Sequence, residues 1–173
     1  MRKTTVTLFI GLFYLLPLLT FGQNKTNLQE IYVPKNKNIY KSDWIDLNKN
    51  GKMDVYENPK ANIDDRIADL ISQMTLEEKT NQMVTLYGYG RVLEDDLPTT
   101  DWKNRLWKDG IGAIDEHLNG FRQWGLPPSD NPNVWPASQH AWALNEVQRF
   151  FIEETRLGIP VDFTNEGIRG VES

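Results

Sequence analysis

Two short apolar runs, each opened by glycine, limit the folds open to this chain more than any other feature. They are GIGAID, Gly110 to Asp115, and GIPVDFTNEG, Gly158 to Gly167. Neither alternates cleanly between apolar and polar residues, so both read as buried strands of a parallel sheet. Parallel strands need a crossover, and the intervening sequence offers one. NGFRQWGLPPSDNPNVWP is a loop rich in Gly, Pro and Asn, and a helix follows from about Ala137 to Leu157, with Pro136 at its start and Gly158 just past its end. Strand, loop, helix and strand make a βα repeat, and the expected class is α/β.

Upstream the apolar period changes. Ile63, Ile67, Leu70, Ile71 and Met74 fall on one helical face, with Asn62 as cap and Asp64 and Asp65 in the first turn. Thr75 and Glu78 form a capping box that starts a second helix running through Met83. A loop holding Gly88, Gly90 and Pro98 comes next.

The N-terminus reads as an export signal. Arg2 and Lys3 precede an apolar run from Val6 to Leu19, which is too short for a membrane span, and small residues near Gly22 suit cleavage there. The alternative is a membrane anchor. The expected localisation is therefore exported, periplasmic or extracellular, with no stable membrane insertion after residues 1–22 are removed. Loss of Arg2 and Lys3 takes the net charge from −5 to −7, which disfavours nucleic acid as a partner and suits a neutral substrate. Cysteine is absent, so an exported chain of this kind depends on its core, and on any bound metal, for stability. Residues 23–43 are polar, rich in Lys and Asn and without a period, and read as a linker.

Residues 44–59 contain DLNKNGKMDVYE, Asp46 to Glu57. This is the spacing of a calcium loop. Asp46, Asn48, Asn50, Asp54 and Glu57 supply side-chain oxygens, Lys52 lends its carbonyl, and Gly51 makes the sharp turn. Three carboxylates opposed by Lys49 and Lys52 predict weak affinity, about 10⁻⁴ M. The competing reading is a polar turn that caps itself. Asn58-Pro59 stops any long exiting helix, so Ca²⁺, if held, clasps the linker to the body of the chain.

Zinc and thiol chemistry have no support, since there is no Cys and His117 and His140 lack ligand companions. The acidic pairs Glu77-Glu78, Asp95-Asp96 and Glu153-Glu154 read as helix or loop surface. Two carboxylates are better placed. Asp115 ends the first apolar run and Glu166 follows the second, where a parallel sheet presents its functional edge. Glu166 either grips a substrate hydroxyl or caps a turn. Trp124 and Trp135 lie in the βα loop, where they either stack on a ligand ring or simply pack.

Taken together, RIADLISQMTLEEKTNQM (Arg66 to Met83), GIGAID and TRLGIPVDFTNEGIRGV (Thr155 to Val171) resemble, in order and spacing, the start of the N-terminal barrel of glycoside hydrolase family 3, the β-glucosidases and β-xylosidases. The likeness covers about 110 residues. It implies that residues 60–173 are part of a (β/α)₈ barrel of the TIM type. It also implies removal of terminal non-reducing β-D-glucosyl or related β-linked residues from an oligosaccharide or glycoside, with retention of configuration. In the family an acidic residue after the Gly-Ile-Pro strand binds sugar hydroxyls, and Glu166 holds that place, with Asp115 and Trp124 as weaker substrate-binding candidates. Family members more often carry Asp at the position of Glu166 and His at that of Arg169. Retaining hydrolysis needs a nucleophile and an acid/base carboxyl about 5 Å apart. The family's pair belongs to later strands, so the catalytic residues are expected beyond residue 173 and the chain alone is expected to be inactive. The alternative from another class is a non-catalytic, calcium-bound interaction module resembling half a dockerin.

Overall fold

The structure, a computed structural model, describes residues 33–88, 95–105, 108–118, 131–134 and 136–165. The two glycine-led runs form strands as expected. β2 (Ala113–Asp115) pairs parallel with β3 (Asp162–Thr164), setting Ala113 opposite Asp162, Ile114 opposite Phe163 and Asp115 opposite Thr164. The crossover helix α4 spans Ala137–Glu154.

A third strand, β1 (Thr85–Tyr87), pairs parallel with the other side of β2 and gives the sheet order β1-β2-β3. Three residues are too short to display a period, which is why the sequence reads as loop over this stretch. Its pairing depends on Gly112. A Cβ there would stand 2.3 Å from the Gln82 carbonyl oxygen, and the same close approach lets the Gly112 N–H reach Asn81 O at 3.0 Å and Ala113 N–H reach Val84 O at 3.1 Å.

The core lies between the sheet and α4. Ile114 is fully buried from β2, and Val147, Phe150 and Phe151 meet it from α4 with Ile111 and Val161. Trp102 joins them from α3 (Thr100–Arg105), a short helix that the sequence does not announce. Each such side chain contributes about 1.5–3 kcal/mol on leaving water. A smaller cluster of Leu118, Val134 and Ala143, flanked by Leu97 and Trp142, covers the other end of α4.

The two upstream helices form with the predicted caps. α1 (Ile63–Gln73) opens where Asn62 Oδ1 accepts the Asp64 N–H at 2.8 Å. α2 (Leu76–Asn81) opens on the reciprocal Thr75–Glu78 box, with Glu78 N–H on Thr75 Oγ1 at 3.2 Å and Thr75 N–H on Glu78 Oε2 at 2.9 Å. The apolar stripe of α1 is not buried, for Ile63, Ile67 and Ile71 are each about half exposed. It lines a shallow groove with Leu47, Tyr56 and Pro160.

Three of the acids read as surface prove structural. Glu78 is 2% exposed and takes two hydrogen bonds from Arg156, one at Oε1 of 2.9 Å and another at Oε2. Glu153 is buried and anchors part of the stretch read as linker: its carboxylate accepts Lys35 N–H at 3.1 Å, Asn36 N–H at 2.8 Å and Tyr40 O–H at 3.0 Å. Asp96 gathers Asn131 Nδ2 at 2.5 Å and Asn133 Nδ2 at 3.0 Å. Their neighbours Glu77, Glu154 and Asp95 face outward as expected, and Glu154 pairs with Lys103 at 2.6 Å. Among the described residues no helix is long and apolar enough to cross a membrane. The expected signal, residues 1–22, lies outside the described residues.

Candidate functional site

Parallel strands present their C-terminal ends on one edge, and the loops that leave them converge there. Here that edge carries Tyr87, Asp115 and Thr164 at one level. Asp115 is the last residue of β2, and its Oδ1 accepts a hydrogen bond from Thr164 Oγ1 at 2.7 Å. The ladder continues one step further, with Gly88 N–H on Asp115 O at 2.7 Å and Glu116 N–H on Thr164 O at 2.8 Å. Backbone and hydroxyl together fix the direction of the Asp115 carboxylate.

Beyond Asp115 the chain turns sharply. Glu116 and Leu118 both lie at φ 53, in the left-handed region that costs an L residue about 1 kcal/mol or more. The turn presses His117 against Gly88, where a Cβ would stand 2.3 Å from His117 Cα. Gly88 therefore has a steric reason to be glycine.

His117 is buried, with Nε2 2.9 Å from Asp96 O and its ring stacked between Trp102 and Phe163, each at 6.3 Å. Burial lowers its pKa below the ordinary histidine value, and the opposing pull of Asp96 does not offset it. The imidazole is neutral near pH 7 and acts as a packed wall. His140 is likewise lowered by burial, partly countered by a hydrogen bond to the His117 backbone.

Chemically, this edge offers a hydrogen-bond acceptor of fixed direction, suited to a hydroxylated neutral ligand. Asp115 sits at that edge as the sequence predicts. Glu166, two positions past Thr164, and both Trp124 and Trp135 lie outside the described residues. The Thr164 hydroxyl and the Gly88–His117 contact escape sequence reasoning, because neither side of those contacts carries a motif. Register alone brings Thr164 beside Asp115, and a register is invisible before the sheet is assembled.

The calcium-pattern loop sits elsewhere. Lys49 Nζ donates to Ile152 O at 2.8 Å and Thr155 O at 2.6 Å, and also to Leu47 O. The Ile152 and Thr155 carbonyls belong to the end of α4 that leads into the start of β3, opposite the edge that holds Asp115. Asp46, Asn48, Asn50, Lys52, Asp54 and Glu57 are thus apart from the strand-end site.

No protein-family model matches the chain. Over 126 residues, 73% of this chain, it is 29% identical to beta-glucosidase C of Emericella nidulans. Over 136 residues, 78% of this chain, it is 27% identical to probable beta-glucosidase C of Aspergillus oryzae. The matched region is 18% of the length of each of those proteins. The similarity to these beta-glucosidases is distant and covers only this part of each of them.

Proposed function

We propose that this chain belongs to a retaining β-glycosidase of glycoside hydrolase family 3 and that it acts on terminal non-reducing β-D-glucosyl or related β-linked residues. The observation that carries this reading is the similarity to beta-glucosidase C over 126 residues, 73% of the chain. The parallel order β1-β2-β3 with α4 between β2 and β3 is compatible with the opening of a (β/α)₈ barrel. Asp115, oriented by Thr164, would accept a hydrogen bond from a sugar hydroxyl, and Glu166 would take a second. Trp124 would stack on a sugar face.

In the expected reaction a carboxylate attacks the anomeric carbon while an acid protonates the departing oxygen. Water then hydrolyses the glycosyl intermediate, assisted by the same acid/base group. The resemblance assigns both groups to positions beyond residue 173. Asp115 and Glu166 therefore hold substrate and do not attack it, and a signal at residues 1–22 would direct the product out of the cytoplasm.

The test is hydrolysis of an aryl β-D-glucoside by the product of the complete reading frame, with an aryl α-D-glucoside as control. The β-glycoside should turn over and the 173-residue chain alone should stay at background. Asp115→Asn in the complete product should lower kcat/KM by about two- to thirtyfold, since a carboxylate acceptor is worth roughly 1.5–3 kcal/mol against a neutral one of about 1. No turnover of any aryl β-glycoside would defeat the assignment and favour the calcium-bound interaction module.

A further inference from the structure

The loop from Asp46 to Glu57 lies at the opposite end of α4 and β3 from the strand-end site, and its two end carboxylates are among the least exposed acids of the described residues, at 4% each. Lys49 at φ 62 and Gly51 at φ 80 bend the chain back over itself. Asp46 Oδ2 accepts the Gly51 N–H at 3.0 Å. Glu57 is drawn over the same loop, with Oε1 receiving Asn48 N–H at 3.1 Å and Oε2 receiving Asp54 N–H at 2.9 Å.

One atom is unaccounted for. Asp46 Oδ1 is buried and has no hydrogen-bond partner, although its own carboxylate is turned into the loop by the bond to Gly51. A buried carboxylate oxygen without a donor is costly, and a bound cation would satisfy it. The Lys49 ammonium does not fill that place, because it is committed to the carbonyls of Leu47, Ile152 and Thr155. The lysine that the sequence set against a cation is thereby turned toward the end of α4.

We propose that this loop binds one Ca²⁺. Its donors are the side-chain oxygens of Asp46, Asn48, Asn50, Asp54 and Glu57 and the Lys52 carbonyl. Among the described residues no three His, Cys, Asp or Glu side chains stand together as a metal cluster, and Asp54 Oδ2 accepts hydrogen bonds from Asn48 Nδ2 at 2.5 Å and Asn50 Nδ2 at 2.7 Å. The cation replaces those two amide donors at Asp54 and draws the three acids inward. Six or more oxygens on a flexible loop, one of them a backbone carbonyl, suit Ca²⁺ better than the smaller Mg²⁺ with its strict octahedron.

Binding here has a structural consequence. Leu47, inside the loop, packs so closely on Gly158 that a Cβ there would stand 2.6 Å from the Leu47 carbonyl oxygen, and Tyr56 O–H reaches Leu157 O at 3.3 Å. A closed loop therefore stiffens the junction between α4 and β3.

Calorimetric titration of the chelator-stripped 173-residue chain with CaCl₂ tests this. One saturable site with a Kd of about 10⁻⁴ M is expected. Asp46→Asn, nearly the same size, should weaken binding at least tenfold, and Lys52→Ala, which keeps the carbonyl, should change it by less than about threefold. Should Asp46→Asn fail to fold, Glu57→Gln serves the same comparison, and the wild-type melting temperature should rise in about 10 mM CaCl₂ and return on adding chelator. No saturable heat up to about 10 mM, equal affinity for MgCl₂, or full binding in both acidic variants would overturn the proposal.

Discussion

Replacing Glu153 by Gln should loosen residues 33–40 from the body of the protein. The Glu153 side chain is 1% exposed, and its three donors come from a segment with no period of its own: Lys35 N–H, Asn36 N–H and Tyr40 O–H. Gln keeps the size and one oxygen, so the two N–H bonds survive in neutral form, and Tyr40 can rotate its hydroxyl to accept. What is lost is the charge. A hydrogen bond to a charged group contributes about 1.5–3 kcal/mol and a neutral one about 1, so three bonds lose between roughly 1.5 and 6 kcal/mol. Part of the segment is solvent-facing, which places the expected cost near the lower end, about 2 kcal/mol. Arg149, 3.8 Å from Glu153, retains Glu146 at 2.6 Å and adds little to the loss. With a urea slope of about 2 kcal/mol/M, the unfolding midpoint should fall by about 1 M, and limited proteolysis should open new cleavage between residues 33 and 40. An unchanged midpoint together with an unchanged digestion pattern would refute the idea that Glu153 holds this segment.

Other perturbations separate steric, ionic and conformational contributions. Gly112→Ala puts a methyl 2.3 Å from Gln82 O and should cost more than about 3 kcal/mol by thermal melting, whereas Gly51→Ala meets nothing within 4 Å and strains only a φ of 80, for about 1 kcal/mol. Glu78 has a lowered pKa: burial alone pushes it up, but the hydrogen bonds from Arg156 and Thr75 and the Arg156 charge together prevail. That contribution is present above the ordinary value of 4.5 and lost as pH falls through the lower folded value, so Arg156→Gln should move acid unfolding to higher pH. Burial lowers the Lys49 pKa from 10.5 to about 8 against the pull of Asp46, Glu153 and Glu57. The unfolded chain then binds more protons between those values, stability rises with pH across that window, and Lys49→Met should flatten the rise in a series of urea melts.

The helices are legible because their signals are local. Asn62, Thr75 and Glu78 cap what the sequence says they cap, and the parallel pairing of β2 with β3 follows from two apolar runs and one crossover. β1 and α3 are not legible, being three and six residues long and stabilised by partners remote in sequence. Glu78, Glu153 and Asp96 look like solvated acids because their partners, Arg156, the backbone at Lys35 and the amides of Asn131 and Asn133, lie 35 to 118 positions away. At the strand-end site the sequence offers Asp115 but not Thr164, since the hydroxyl matters only in this register.

The stereochemistry of hydrolysis tests the glycosidase assignment most directly. Proton NMR should follow the anomer first released from an aryl β-D-glucoside by the product of the complete reading frame. β-Glucose should appear first and only then mutarotate, as double displacement through a covalent intermediate requires. First release of α-glucose, or no release of sugar, would contradict the assignment.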